Sequence, residues 1–233
     1  MTAHPCPVCD DTRRETIFRT RDRHFKIPGE WTVARCTGCG LVQIDPMLGT
    51  EELMPLYPDD FYAFQDLAPA ERGLKAKLRR RLFPSLYVGD PPIAKPGRVL
   101  DSGCGTGWGL LQFRERGWEC IGVEPSGAAA RFGREHYHLD IKAGTVNSEK
   151  FPDGHFNYIR ANHSLEHDPD AGATIGEFRR ILQKDGKLLI GVPNIDSLPA
   201  RVFGRYWWYL GTPVHTYNFT PRHLTRSVVL GAR

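Results

Sequence analysis

An apolar run, Val99-Leu100, ends in Asp101 and is followed by Gly103, Gly105 and Gly107, three glycines at alternate positions. Glycine permits tight turns and lets a ligand approach the backbone where a Cβ would exclude it. A helix that follows such a loop turns its N–H groups back toward the ligand. The run therefore commits the chain to a strand, loop and helix of an open α/β sheet, with a nucleotide-type cofactor at the loop. A dinucleotide fingerprint GxGxxG needs its third glycine at position 108, which holds Trp108. The pattern is DxGxGxG instead, which argues against an NAD-dependent oxidoreductase.

The alternation of strand and helix patterns continues, as a doubly wound parallel sheet requires. Strands are expected near 98–102, 119–123, 139–143, 156–161 and 187–192. The first helix is expected from Gly107 to Arg116, with Leu110, Leu111 and Phe113 toward the sheet and Gly117 as its stop. The second strand, in Cys120-Ile121-Gly122-Val123-Glu124-Pro125-Ser126, ends in an acid about 20 residues past the glycines, where a carboxylate can accept ribose hydroxyls.

These segments resemble, in order, the motifs of class I S-adenosylmethionine-dependent methyltransferases. VLDSGCGTG is similar to the first motif, and the stretch Phe151 to Ile159 to the segment leading into strand four, with Asn157 where the family carries aspartate. His163-Ser164-Leu165-Glu166-His167-Asp168-Pro169-Asp170 resembles the LEH stretch after that strand, and Phe178 to Ile190 the next helix and strand. The resemblance implies a Rossmann-like, mostly parallel sheet and S-adenosylmethionine as cofactor. It implies that Asp101, Gly103, Cys104 and Gly105 line the methionine part, that Glu124 and Pro125 meet the ribose, that Thr145 and Val146 flank the adenine, and that Asn162 offers its backbone to the amino group. On the same comparison a C-terminal strand hairpin of roughly thirty or more residues is expected after the helix that FTPRHLTR resembles and is missing from this sequence, so that either the sheet is short with one edge open or the chain is a truncated form.

Methyl transfer needs alignment of nucleophile and methyl donor, and a hydroxyl or carbon acid also needs a base, for which histidine is suited. The candidates are His163, His167 and His215, the last in a Pro-x-His pattern that resembles one near the family's substrate pocket. Each can equally serve as a structural hydrogen-bonding group. His163 to His167 also fits HxxEH, but that peptidase motif needs a helix and a third ligand. Some quinone-pathway relatives place ExxEH here and bind a divalent cation, whereas this chain has His163 at the first acidic position. The aromatic run Tyr206-Trp207-Trp208-Tyr209 can close the core or stack on a ring substrate, and Asn218 and Arg222 lie close to His215 in sequence.

Four of the six cysteines form two CxxC pairs, Cys6/Cys9 and Cys36/Cys39. Two such knuckles close a tetrahedral four-thiolate zinc site with no open position, which is structural rather than catalytic. Disulfides are the alternative. The 26 residues between the pairs exceed the usual spacing and predict a longer loop or an extra strand, and Trp31 to Ile44 suits strand, knuckle, strand.

Three regions follow: a zinc ribbon over 1–45, a helical linker or lid over 46–96, and the cofactor-binding domain over 97–233. In the linker, Tyr57-Pro58-Asp59-Asp60-Phe61-Tyr62 resembles a segment of zinc-ribbon methyltransferases. Leu74, Leu78 and Leu82 recur among six basic residues over 72–81. That is a basic amphipathic helix, packed on the core or docked on an anionic lipid or sugar phosphate. A net charge of +4 does not indicate a nucleic-acid binder, and no leader or apolar run of membrane-spanning length appears, so a cytoplasmic protein is expected. The implied function is methylation of a small-molecule or sugar-pathway acceptor. The alternative is a non-catalytic zinc-ribbon binding protein with a shortened cofactor domain.

Overall fold

The computed structural model describes residues 4–57 and 95–230. The basic segment over 72–81 and residues 58–62 lie outside the described residues. The chain forms two compact units, one of Met1–Pro58, Leu165–Arg179 and Val192–Arg233, the other of Asp59–Ser164 and Arg180–Gly191.

The second unit holds the strand–helix alternation. Strands β4 (Arg98–Ser102), β5 (Glu119–Glu124), β6 (Asp140–Ala143), β7 (Phe156–Asn162) and β8 (Leu182–Gly191) form one sheet in the order β6-β5-β4-β7-β8, with every pairing parallel. The strand order reverses between β4 and β7, which opens a crevice at the carboxyl ends of those two strands. This is the Rossmann-like arrangement expected from the sequence. Strand β8 begins earlier than its apolar run, at Leu182, which pairs with Phe156 ahead of a register shift. The polar Gln183 to Gly186 stretch hides that early start from any hydrophobicity pattern.

Helix α2 (Trp108–Arg114) follows β4 and buries Leu110, Leu111 and Phe113. With Val99, Trp118 and Tyr158 these side chains form one apolar cluster, in which Phe113 meets Trp118 edge to face at 5.8 Å. Helix α3 (Gly127–Tyr137) starts at Ser126, whose hydroxyl accepts the Ala129 amide, an N-cap bond worth about 1 kcal/mol.

The first unit is built on an antiparallel sheet. Strands β1 (Arg14–Thr20), β2 (Trp31–Cys36) and β3 (Val42–Ile44) pair in order, and β9 (Tyr217–Asn218) completes the sheet beside β3. β1 occupies part of the long gap between the cysteine pairs. The turn from β1 to β2 is organised by Asp22, whose carboxylate accepts the amides of His24, Phe25 and Ile27. Among the described residues no helix is long and apolar enough to cross a membrane.

Candidate functional site

The carboxyl edge of the parallel sheet collects most of the residues singled out for the cofactor. Gly103 (φ +72°) and Gly107 (φ +80°) both take left-handed backbone conformations that other residues adopt only with strain. A Cβ on Gly103 would lie 2.3 Å from the Cβ of Ser164, and one on Gly107 would lie 2.7 Å from Ile141 Cδ1. The loop is therefore a bare backbone cradle that only glycine permits. Cys104 sits in it with its thiol turned inward, because Gly122 on β5 leaves room for it. Burial drives that thiol well above its usual range, and the carboxylates of Asp101 and Glu124 add to the rise.

Glu124 ends β5 and is 6% exposed. One of its carboxylate oxygens accepts the Gly105 amide and the other the Ser126 amide, both at 2.8 Å. A carboxylate offers about four lone-pair positions, so two remain for ligand hydroxyls. Burial raises the Glu124 carboxyl above its ordinary value, partly offset by the Ser126 and Gly105 amides. Pro125, next in the chain, is exposed. Thr145 caps a short turn after β6, Val146 is buried under it, and the preceding Gly144 amide donates to the Glu124 carbonyl at 2.9 Å. These residues therefore stand beside the end of β5.

At the end of β7, the Asn162 side-chain oxygen is buried with no hydrogen-bond partner among the described residues. A buried acceptor left in this way calls for a donor that the described residues do not supply. His163 follows with φ +53°, a conformation that costs a non-glycine residue about 1–2 kcal/mol. Its amide donates to the Gly191 carbonyl at 2.7 Å, and its side chain is exposed.

Sequence reasoning missed Arg160. It lies opposite Asp101 in the parallel register, and its guanidinium meets the Asp101 carboxylate at 2.6 Å. The only available signal was a basic residue inside an otherwise apolar strand segment. Asn157, by contrast, lies at the amino end of β7, away from the cofactor edge. Its oxygen accepts the Arg98 amide at 2.8 Å, and its nitrogen donates to Gln183 at 2.6 Å. Through these two bonds Asn157 ties β7 to both of its neighbours, β4 and β8.

His167 and His215 belong to the first unit, where their rings meet edge to face with centroids 4.6 Å apart. Burial first, then the neighbouring His167, press His215 down to about 3, so its imidazole is neutral at pH 7. The aromatic run divides. Trp207 packs with Ala200, Leu210, Phe18 and Ile195, while Tyr206, Trp208 and Tyr209 are exposed, Trp208 stacking on His24. Asn218 is buried in β9, and Arg222 is exposed on helix α6 (Pro221–Leu230), whose α4 (Ala171–Ile181) and α5 (Leu198–Phe203) predecessors also lie wholly or mostly in this unit.

Cys6, Cys9, Cys36 and Cys39 bring their sulfurs within 4.8 Å of one another. Two pairs, Cys6/Cys39 and Cys9/Cys36, stand at 3.5 Å, far beyond a disulfide bond of about 2.05 Å and close to the separation of thiolates on one zinc. Backbone amides converge as in knuckle turns: Asp10 donates to the Cys6 carbonyl and Gly40 to the Cys36 carbonyl, both at 2.9 Å. The donor set, its spacing and its turns fit a four-thiolate ion.

Comparison with known proteins agrees with this architecture. Residues 70–228 match the family model described as "Methyltransferase domain". The chain belongs to that family, the class I S-adenosylmethionine-dependent methyltransferases. An uncharacterized methyltransferase, YcgJ, of Bacillus subtilis is 33% identical over 99 residues, covering 40% of this chain and 39% of the relative. A ubiquinone biosynthesis O-methyltransferase of a Bradyrhizobium strain is 30% identical over 143 residues, covering 57% and 56%. The chain thus spans well under two thirds of the length of these curated relatives. Among solved structures, an S-adenosylmethionine-dependent methyltransferase from Archaeoglobus fulgidus superposes with a TM-score of 0.53 at 22% identity, covering 72% of this chain and 74% of the other. The B. subtilis YcgJ structure gives 0.51 at 22% identity, covering 58% and 61%. These likenesses concern the fold.

Proposed function

We propose that this chain binds S-adenosylmethionine at the carboxyl edge of β4, β5, β6 and β7 and methylates a hydroxyl of a small-molecule or sugar-pathway acceptor. The observation that carries the reading is the grouping, along one sheet edge, of a backbone cradle closed to any Cβ, an acid with lone pairs to spare and an orphaned buried acceptor. Gly103, Cys104 and Gly105 would hold the methionine part, with Asp101 accepting from its amino group and Asn162 beside it. Glu124 and Pro125 would hold the ribose, and Thr145 and Val146 would flank the adenine.

When bound, the cofactor supplies an electrophilic methyl group. The chain's own contribution is alignment, worth about 7–11 kcal/mol in well-oriented reactions, and removal of the acceptor proton. We assign the proton to His163. It is exposed, it follows directly on β7, and the left-handed backbone that aims it is the kind of strain that functional positions retain. The relatives named O-methyltransferases favour an oxygen acceptor. The four cysteines would hold one structural zinc, on which the folding of so small a module depends.

The test supplies methyl-labelled S-adenosylmethionine to the zinc-loaded chain with a panel of phenolic and sugar-nucleotide acceptors. Label should transfer to an acceptor hydroxyl, and His163→Asn should lower kcat at least a hundredfold with unchanged cofactor affinity. Full turnover by H163N would remove that histidine from the mechanism, and no transfer to any acceptor of either class would contradict the acceptor assignment.

A further inference from the structure

Cys6, Cys9, Cys36 and Cys39 lie near the start of the sequence, yet both of their turns rest on segments beyond residue 165 of the same unit. Gly172, in the first turn of α4, lets the Cys6 to Cys9 turn come close: a Cβ there would stand 3.4 Å from Pro7 Cα. The Cys36 to Cys39 turn joins β2 to β3, and β9 extends that hairpin. Ile44 donates its amide to the Thr216 carbonyl at 3.1 Å, Gln43 pairs with Tyr217, and Val42 pairs with Asn218.

His223, 9% exposed, ties the second turn to helix α6. Its Nδ1 accepts the Thr220 amide at 3.2 Å, and because an N–H only donates, Nδ1 holds the lone pair and Nε2 the proton. Nε2 therefore donates to the Cys39 carbonyl, also at 3.2 Å. The Thr220 hydroxyl in turn accepts the His223 amide at 3.3 Å, a reciprocal capping box at the start of α6 with histidine where glutamate or glutamine is usual. Both ring nitrogens are thus committed, one to the helix end and one to the turn that carries Cys39. Bonds that orient a metal's ligands from behind commonly matter by about 10- to 100-fold in metal affinity.

We propose that His223 is a positioning residue for the four-thiolate metal, and that the occupied site clamps residues 215–224, including His215, onto the β2–β3 hairpin. The inference rests on the reading of the four cysteines as a metal site. β3 has three residues and β9 two, too few to hold each other without the turn that sets the register of the hairpin. A metal bound by all four sulfurs fixes that turn, so its binding energy becomes folding energy of the segments docked there.

The test uses the full chain. The wild type should take up one zinc, and competition with a chromophoric chelator should show His223→Ala binding it at least tenfold more weakly. His223→Gln should recover most of the affinity, because a glutamine amide can accept from Thr220 and donate to the Cys39 carbonyl. Thr220→Val, which weakens the helix cap but leaves the Cys39 bond, should stay within about threefold of the wild type. Hydrogen exchange of the wild type, which needs no variant, should show residues 215–224 losing protection on chelation while β4 and β5 keep theirs. Zinc affinity unchanged in H223A, or weakened equally in T220V, would overturn the role of His223. Protection of 215–224 that survives chelation, or is lost equally in β4 and β5, would overturn the clamp. A wild-type chain that takes up no zinc would overturn the metal reading itself, and both inferences with it.

Discussion

The Asp101 carboxylate and the Arg160 guanidinium meet at 2.6 Å, with side chains only 4% and 13% exposed, across two strands that flank the switch point of the sheet. The acid at the head of the glycine loop is thus fixed from the neighbouring strand. Removing one partner of a buried ion pair typically destabilises by about 3–5 kcal/mol, because the other charge stays buried. Arg160→Met should therefore lower the denaturant midpoint strongly and weaken S-adenosylhomocysteine binding. Arg160→Lys should lie between R160M and the wild type, since an ammonium restores the charge but not the fork geometry. Chemical denaturation and calorimetry on the three proteins check both effects.

Gly103 gives a test of the cradle. Gly103→Ala places a Cβ 2.3 Å from that of Ser164 in a left-handed backbone. Binding of S-adenosylhomocysteine should fall at least tenfold. The double variant G103A/S164G removes the clash but keeps the backbone strain, about 1–2 kcal/mol, so it should recover only part of the affinity. Full recovery would mean that the conformation at position 103 is unimportant.

Glu124 sets a pH dependence. Burial holds its carboxyl above the ordinary 4.5, and in the proposed site the ribose hydroxyls would bind its ionised form. A ligand that prefers the deprotonated state releases a proton on binding, so affinity rises with pH through the free protein's pKa and levels off above it. S-adenosylhomocysteine titrations from pH 4.5 to 8 should show this rise with a midpoint above 4.5. The Glu124→Gln protein should bind more weakly and lose the slope.

Thiol chemistry separates the cysteines. Burial pushes Cys120 up to about 11 and Cys104 well above its usual range, so neither is a thiolate at pH 7.5. In the zinc-loaded protein, brief iodoacetamide treatment followed by mass spectrometry should modify none of the six cysteines appreciably. After chelation, Cys6, Cys9, Cys36 and Cys39 should become reactive and the sheet of β1, β2 and β3 should lose hydrogen-exchange protection. Unchanged labelling after chelation would count against a metal at the four sulfurs.

What could be read from the sequence was what short-range patterns encode. The glycine run, the acid ending the second strand, the two CxxC turns and all five parallel strands, apart from the early start of β8, follow from apolar runs and turn residues that sit next to each other. The features that escaped are long-range. Arg160 matters because β7 lies beside β4, a pairing that spacing does not reveal. Asn157 ties β7 to β8 because Gln183 arrives beside it, which spacing does not reveal either. Tyr217 and Asn218 form a strand only because β3 offers a free edge, and two residues carry no periodicity of their own. His167 and His215 stood out separately as candidate bases; the contact of their rings depends on a clamp between segments 165–169 and 214–217.

Calorimetric titration of the zinc-loaded chain with S-adenosylmethionine bears most directly on the cofactor site. One molecule should bind saturably per chain, S-adenosylhomocysteine should compete, and both G103A and E124Q should weaken the interaction at least tenfold. No binding, or binding that both variants leave intact, would contradict the assignment of the loop after β4 and the acid ending β5 as the cofactor site.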